Sequence, residues 1–252
     1  MKFTFLGTGC GIPQKNRIQS GILFENKSSI ILFDCGCGIL NRIHEFGYNH
    51  LKIDAIILSH LHLDHVADTI CLIKANMLMH KKNLTLYGPK GTKKWILSIL
   101  DIYQYMRDNV DINVVELNHG DIFTPIGTDF EIECASAVHS TPTLGYKVMQ
   151  DGKSVVYSSD TEPCSAIMDL ANGANVLIHE CSFPLGFETT NHTNPNMLSD
   201  YIRKNKIDVK KIYLTHLYPH MQGHEKEATS HIKKYFNGNV EIAFDGLVCN
   251  VV

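Results

Sequence analysis

The feature that most constrains this chain is a seven-residue segment, Ser59–His65, which reads Ser-His-Leu-His-Leu-Asp-His. It follows the apolar run Ala55–Leu58, typical of a buried strand, and precedes apolar residues at helical spacing over 66–79. We therefore predict that the segment is a loop between a strand and a helix. Its three imidazoles and one carboxylate are donors that suit Zn²⁺, Mn²⁺ or Fe, so the loop is a candidate metal site.

The spacing within this segment predicts two metal ions rather than one. His60 and His62 are two residues apart, so their side chains point the same way in an extended segment. Asp64 and His65 are adjacent and point in different directions. One ion can hardly collect all four groups, and we expect two ions side by side.

Two metal ions need more donors than this segment supplies, and three candidates share its structural setting. His139, Asp160 and His216 each come directly after a run that is typical of a strand. A polar donor at a strand end, beside a cluster that needs further ligands, is a candidate ligand. A carboxylate can give one oxygen to each of two ions, so Asp160 is the predicted bridge.

Composition limits the class of protein. The 252 residues suffice for a full core, and without linkers or low-complexity stretches we predict a single domain over 1–252. The net charge of −3 provides no overall basic field for nucleic acid. We see no signal peptide and no apolar run near the roughly 20 residues of a membrane span. Eight scattered cysteines without a C-x-x-C motif fit a reducing cytosol, so a cytoplasmic location is expected.

The order of predicted elements is mixed. A β-rich opening passes into strand–helix alternation, then into a hairpin around Asp151-Gly152, and then into alternation again. The pattern predicts a helix over 66–79, a helix over 92–105 and an interrupted β region over 127–139. Sheets flanked by helices, in a layered α/β fold, accommodate this order.

In these motifs the chain resembles the metallo-β-lactamase superfamily, and within it the ribonuclease Z-like hydrolases. The resemblance covers nearly the whole chain. Leu58–His65 is similar to the superfamily signature, and Leu32–Gly36 to its first acidic motif. Further similar segments are Phe5–Gly9 with Gly11–Pro13, Tyr87–Pro89, Ser158–Thr161 and Leu214–His216.

The resemblance implies a four-layer αββα sandwich with a dinuclear site at the sheet edges. One ion would take His60, His62 and His139, and the other would take Asp64, His65 and His216, with Asp160 shared. The expected cofactors are two divalent ions, Zn²⁺ in the first place, with Mn²⁺ and Fe as alternatives. Relatives in this superfamily are often dimers, which favours a homodimer.

The implied chemistry is phosphodiester hydrolysis, because two ions about 3.5 Å apart can hold a bridging hydroxide and clamp both oxygens of an in-line displacement. The leaving alkoxide needs a proton. His192 is the candidate acid, since Asn191-His192-Thr193 precedes a predicted helix and resembles a histidine motif of the family. Glu180 is the candidate to orient it. The predicted catalytic residues are thus Asp64, His192 and Glu180, and Tyr218 is a candidate for the pocket lining.

The substrate and two other functions stay open at this stage. Members that process tRNA carry a long arm between the positions of His139 and Asp160, where this chain has only 20 residues and no basic extension. Small cyclic or nucleotide-derived phosphodiesters therefore compete with RNA. A thioester or other acyl hydrolase would use the same hydroxide without an acid at His192. A non-catalytic nucleic-acid-binding module requires missing ligands, and the sequence lacks none.

Overall fold

The computed structural model describes residues 1–251, which form strands and helices in alternating blocks. The strands are β1 Lys2–Gly7, β2 Gly21–Glu25, β3 Ile30–Phe33, β4 Ala55–Ile57, β5 Asn83–Pro89, β6 Asp111–Leu117, β7 Ile122–Phe123, β8 Glu131–Ser136, β9 Leu144–Gln150, β10 Lys153–Tyr157, β11 Ala174–Glu180, β12 Val209–Thr215, β13 Asn239–Ile242 and β14 Val248–Asn250. The helices are α1 Ile39–Glu45, α2 Leu63–Val66, α3 Thr69–Leu78, α4 Thr92–Ile102, α5 Gln104–Arg107, α6 Ser165–Ala171, α7 Pro195–Asn205 and α8 Glu225–Lys233, with 3-10 turns at His50–Lys52 and Pro219–Met221. Within the described residues, no helix has the length and apolar character needed to cross a lipid bilayer.

The strands form two seven-stranded sheets of similar design. The first sheet has the order β14-β1-β2-β3-β4-β5-β6, and the second has the order β13-β12-β11-β10-β9-β8-β7. In the first, β3 to β6 are parallel to one another, and in the second, β10 to β13 are parallel. Parallel strands bring their carboxyl ends to one edge of a sheet, which is where ligands collect in α/β folds.

The layers follow from which side chains each sheet buries. Aromatic and aliphatic residues of both sheets, such as Phe33, Tyr157 and Tyr213, pack in one core between the sheets. The outer face of the first sheet packs with α1, α3 and α4, and the outer face of the second packs with α6, α7 and α8. Each sheet is covered by the other sheet on its inner face and by helices on its outer face, so the layers follow the order helix, sheet, sheet, helix. The predicted αββα sandwich is confirmed.

The helix predicted over 66–79 is present as α3, but it begins three residues later, at Thr69, because the short helix α2 ends at Val66 and the chain is held at Asp68. The backbone N–H of Asp68 donates to the carbonyl oxygen of Cys35 at 2.9 Å. Its carboxylate accepts two backbone N–H groups at the start of α1. These bonds hold the chain to the loop after β3 and interrupt the helical ladder. Asp64 and His65 consequently lie on α2 rather than in a loop.

Two other predicted elements also differ from the structure. The helix predicted over 92–105 ends at Ile102, because Tyr103 has a non-helical backbone with ψ of 63°, and α5 follows it. The β region predicted over 127–139 contains only β8. Strand β7 was not predicted, because its two residues are too few to show a period.

Candidate metal centre

The predicted ligands lie where strands of both sheets end at one edge of the sandwich. In the first sheet, His60, His62, Asp64 and His65 follow β4. In the second, the three remaining candidates come after β8, β10 and β12, and they are His139, Asp160 and His216. The structure thus brings all seven predicted ligands together, although they come from separate parts of the chain.

The backbone adopts a left-handed conformation after three strands, β3, β10 and β12. Asp34, Ser159 and His216 each follow a strand and each adopt a left-handed conformation with φ of 56°. For a residue other than glycine this conformation costs on the order of 1–3 kcal/mol, and it persists only where surrounding contacts impose it. The bend after β12 places the imidazole of His216 among the donors from the first sheet.

Three imidazoles form the first group of donors, which we call the histidine site: His60, His62 and His139. Nδ1 of His62 lies 3.1 Å from Nε2 of His60 and 3.1 Å from Nε2 of His139. The opposite nitrogens of two rings are occupied: His139 Nδ1 donates to the carbonyl oxygen of Asn191 at 2.7 Å, and His60 Nδ1 lies 3.0 Å from the hydroxyl oxygen of Ser59. The nitrogens that face one another are therefore the ones left with lone pairs.

The second group, which we call the aspartate site, consists of Asp64, His65 and His216. Nε2 of His216 lies 3.3 Å from Nε2 of His65 and 3.2 Å from Oδ2 of Asp64. His65 donates its other ring N–H to Asp34 at 2.7 Å, and His216 Nδ1 lies 3.2 Å from the hydroxyl of Ser182. Burial alone would lower the pKa of His65, but the charges of Asp160 and Asp34 outweigh it and hold the pKa well above its ordinary value. This ring would therefore release a proton on binding a metal ion, whereas the converging nitrogen of His216 carries a lone pair when Nδ1 donates to Ser182.

Asp160 lies between the two sites. Its carboxylate oxygens are 3.4 Å from Nε2 of His65, 3.3 Å from Nε2 of His216 and 3.8 Å from Nε2 of His60. Burial alone would raise the pKa of Asp160, but the imidazoles of His216 and His65 outweigh it and hold the pKa well below its ordinary value. Its Oδ1 is buried and has no hydrogen-bond partner among residues 1–251. Such an atom is costly unless a cation satisfies it.

The donors fit divalent metal ions on chemical grounds. Metal ligands must be neutral imidazoles or charged carboxylates. Burial, with the neighbouring imidazoles, places the pKa of His60 well below its ordinary value, so this ring is neutral. Converging lone pairs, a charged carboxylate between them and an unsatisfied buried oxygen all call for cations.

The candidate acid, His192, lies beside both sites. Its ring centroid is 5.0 Å from that of His139 and 5.6 Å from that of His216. Nδ1 of His192 donates to Oε1 of the buried Glu180 at 2.8 Å. Burial alone would lower the pKa of His192, but the hydrogen bond and the charge of Glu180 outweigh it and raise the pKa to about 9. The predicted pairing of Glu180 with His192 is present in the structure.

Ser182, which was not predicted from the sequence, connects the candidate acid to the aspartate site. This buried hydroxyl donates to Oε2 of Glu180 at 2.7 Å. A hydroxyl has one proton, so toward His216 Nδ1 it must act as an acceptor. Ser182 therefore favours the tautomer of His216 that carries its proton on Nδ1. The lone pair is then on Nε2, which faces the metal centre. A serine two residues past a strand end has no pattern that would distinguish it from a loop residue.

Comparison with known proteins places the chain in a family. A profile described as "Anti-Pycsar protein Apyc1" matches residues 1–236. The chain is 27% identical to ribonuclease Z of Methanosarcina mazei, over 86% of this chain and 87% of that protein. The metallo-β-lactamase fold protein YhfI from Bacillus subtilis superimposes with a TM-score of 0.81 at 25% identity, covering 98% of each chain. The short form of human tRNase Z superimposes with a TM-score of 0.78 at 20% identity, covering 100% of each chain, which supports the fold.

These similarities confirm the resemblance that the sequence motifs indicated. They extend through both sheets, since the matched region includes every strand from β1 to β12. The chain accordingly belongs to the Apyc1 family of anti-Pycsar proteins, among the ribonuclease Z-like members of the metallo-β-lactamase superfamily.

Proposed function

We propose that this protein hydrolyses small phosphodiesters with two divalent metal ions, held by the histidine site and the aspartate site and bridged by Asp160. His192 is the proposed general acid and Glu180 its positioning residue. The observation that carries the proposal is the His192–Glu180 pair, 2.8 Å apart, beside both donor groups. The predicted enzyme class, a metal-dependent phosphodiesterase, is confirmed by the ribonuclease Z relatives, and the solved structures share the fold.

Each side chain of the site has a separate role in the proposed reaction. Bound metal ions would activate a water molecule and neutralise charge on the phosphoryl group. His192 gives Nδ1–H to Glu180, which leaves Nε2–H free to protonate the departing alkoxide. Glu180 is itself fixed, because the backbone N–H groups of Thr161 and Thr193 donate to it at 2.9 and 3.1 Å. Asp64 contributes a charged ligand beside the reacting centre.

The preference for small substrates rests on the segment between β8 and β10. Between His139 and Asp160 the chain forms β9, a tight turn at Asp151-Gly152 and β10, so no arm extends from this edge. The net charge of −3 adds no general attraction for RNA. Ribonuclease Z relatives are named for an RNA substrate, whereas these two features support small phosphodiesters, cyclic or nucleotide-derived, for this chain.

An acyl or thioester hydrolase is the alternative reaction on this scaffold. It would not need a proton donor for an alkoxide, because a thiolate leaves without one. The paired and buried Glu180 beside His192 would then have no chemical task. This pair favours the phosphodiesterase.

The finer properties of the protein are also proposals. We propose Zn²⁺ as the resident ion because five of the seven ligands are imidazoles, although Mn²⁺ and Fe suit the same donors. We propose a cytoplasmic location because all eight cysteines are free thiols. A homodimer stays a prediction that rests on the resemblance alone.

The test is hydrolysis of bis(p-nitrophenyl) phosphate by protein loaded separately with Zn²⁺ and with Mn²⁺, beside a p-nitrophenyl thioester as the acyl substrate. Asp64→Ala serves as the inactive variant. Asp101→Ala is its control, since Asp101 is an exposed carboxylate on α4, away from the centre. We expect phosphodiester turnover in the wild type and in Asp101→Ala, and none in Asp64→Ala.

Turnover of the thioester alone, by protein shown to carry two metal ions, would overturn the phosphodiesterase in favour of the acyl hydrolase. Equal phosphodiester turnover in Asp64→Ala would overturn the assignment of the site.

A further inference from the structure

One side-chain hydrogen bond crosses the core between the two sheets next to the metal centre. The hydroxyl of Tyr157, the last residue of β10 in the second sheet, donates to Oδ2 of Asp34 at 2.7 Å. Asp34 follows β3 of the first sheet, and the same oxygen accepts from the predicted ligand His65. Both groups are buried, since Tyr157 is 3% exposed and Asp34 is 0% exposed. A residue of one sheet therefore holds the carboxylate that supports a ligand of the other.

The carboxylate of Asp34 is fully used. Its Oδ1 accepts the backbone N–H of Ser59 at 2.7 Å, and its Oδ2 accepts the Ser59 hydroxyl at 2.8 Å and the ring N–H of His65 at 2.7 Å. These three donors belong to the same segment as the ligands, so they cannot by themselves fix that segment relative to the second sheet. An ionised carboxylate has about four acceptor positions, and Tyr157 takes the fourth.

The hydroxyl of Tyr157 is well suited to this task. Burial and the charge of Asp34 raise the pKa of Tyr157 well above its ordinary value, so the hydroxyl keeps its proton and is always the donor. The ring packs in the core between the sheets, with its centroid 6.3 Å from that of Phe33. The hydrogen bond therefore starts from a ring that the core already holds.

The same strand end carries the predicted bridging ligand. Asp160 follows Tyr157 by three residues, and the chain between them is anchored to β11. The N–H of Ser158 donates to the carbonyl oxygen of Ile178 at 2.9 Å, and the hydroxyl of Ser158 accepts the N–H of Glu180 at 3.1 Å. The end of β10 thus supports the aspartate site from behind and also supplies the carboxylate that lies between the two sites.

We propose that Tyr157 is a positioning residue of the aspartate site, which fixes the carboxylate of Asp34 and, through it, the ring of His65 relative to the second sheet. The inference rests on the proposed function, because it concerns the metal centre on which that function depends. Ligands that are fixed before an ion arrives lose less conformational freedom when they bind it, so the hydrogen bond should increase metal affinity. One hydrogen bond corresponds to about 2- to 12-fold in affinity.

The test is Tyr157→Phe, which removes the hydroxyl and keeps the ring. Competition between the full chain and a chelator for Zn²⁺ resolves two binding steps, and the step that Asp64→Ala abolishes belongs to the aspartate site. We expect Tyr157→Phe to weaken that step by about 2- to 12-fold and the other step by less than about 2-fold. Excess Zn²⁺ should restore turnover of bis(p-nitrophenyl) phosphate to the wild-type rate.

Tyr146→Phe is the matched control. Tyr146, on β9, also donates across the core, but its acceptor is the backbone carbonyl oxygen of Leu58, at 2.7 Å. This variant should lower the free energy of unfolding to a similar extent and leave the ratio of the two zinc steps unchanged. An equal weakening of the aspartate-site step in both variants would overturn the proposal, because both hydroxyls would then only hold the sheets together. No weakening in Tyr157→Phe would overturn it as well.

If Tyr157→Phe does not fold, crystal structures of the wild type with and without Zn²⁺ decide. The hydroxyl of Tyr157 should stay bonded to Asp34 in both, and a separation beyond about 3.5 Å in either contradicts the proposal. Hydrolysis of bis(p-nitrophenyl) phosphate is measured on the same wild-type samples. Its absence would overturn the proposed phosphodiesterase, whereas the zinc steps are measured without turnover and test Tyr157 separately.

Discussion

The histidine site and the aspartate site are built from similar rings but are supported differently. In the aspartate site, His65 donates directly to the buried carboxylate of Asp34, and His216 is linked through Ser182 to the carboxylate of Glu180. In the histidine site the only link to a supporting carboxylate found among the described residues is indirect: Ser59 accepts from His60 and donates to Asp34 at 2.8 Å. His139 donates to the carbonyl oxygen of Asn191.

This difference implies unequal affinities for metal. A carboxylate behind an imidazole increases the basicity of the ring and fixes its tautomer. The aspartate site also contains a charged ligand of its own, Asp64, whose pKa stays below its ordinary value because the hydrogen bond with His216 and the charge of His65 outweigh the effect of burial. We infer that the aspartate site binds the first metal ion and that the histidine site releases its ion more readily.

The largest effect is expected from the residue that the two sites share. Asp160→Asn removes the negative charge placed between them, and both ions should bind more weakly. Since metal ions supply several kcal/mol of transition-state stabilisation, kcat/KM for bis(p-nitrophenyl) phosphate should fall by at least about 10³-fold. Metal content by mass spectrometry and turnover are the measurements. A variant that keeps both ions and full activity would contradict the bridging role.

His192→Ala should slow hydrolysis without releasing either ion, because His192 contacts the rings of both sites but is assigned to neither. With an alkyl leaving group the rate should fall by about 10²- to 10⁴-fold, the usual contribution of a general acid. With p-nitrophenolate, a weak base, the loss should be far smaller. His224→Ala is the control, since His224 lies 3.2 Å from Glu227 in an exposed pair of the same type. An equal loss with both leaving groups argues against acid catalysis.

Asp34→Asn tests the inequality of the two sites directly. Outer partners of metal-bound histidines typically contribute 10- to 100-fold to metal affinity, so the aspartate site should weaken by about that factor. The histidine site should change less, because Asp34 contacts His65 directly but reaches His60 through the hydroxyl of Ser59. Competition with a chelator resolves the two binding steps. The comparison fails if both steps weaken equally, because Asp34 would then support the centre as a whole.

Ser182→Ala and Ser59→Ala form a matched pair with the smallest expected effects. Each removes one hydroxyl that accepts from a metal-facing ring. A neutral hydrogen bond contributes about 0.5–1.5 kcal/mol, so each variant should weaken its own site by roughly 2- to 12-fold. The metal step affected should differ between the two variants. In addition, Ser182→Ala should shift the pH profile of alkyl-ester hydrolysis, because Ser182 also donates to Glu180.

The candidate ligands could be predicted because each lies in a recognisable local pattern, a metal-binding side chain shortly after a strand-like run. Five imidazoles and two carboxylates follow such runs, and this pattern alone indicates that they lie at one edge of a sheet. The hairpin predicted around Asp151-Gly152 is also present, as β9 and β10 joined at that turn. Short apolar runs bounded by turn residues are typical of strands, which is why these elements could be predicted.

What escaped prediction depends on contacts between distant segments. The division of the helix at Asp68 results from its hydrogen bonds to Cys35 and the start of α1, more than 25 residues earlier. Ring contacts join residues 183 and 187 to residues 218 and 220, and the two loops that carry them have no period. Only Tyr218 was expected to line a pocket. A sequence pattern cannot indicate which two loops will meet.

The left-handed residues at the strand ends have an evolutionary consequence. Asp34, Ser159 and His216 hold the chain in a conformation that glycine adopts without penalty. A glycine at any of these positions would remove a group that supports the centre and relieve backbone strain at the same time. Loss of activity at these positions is thus compatible with an intact scaffold. A relative with glycine at one of these positions is therefore expected to be folded but inactive.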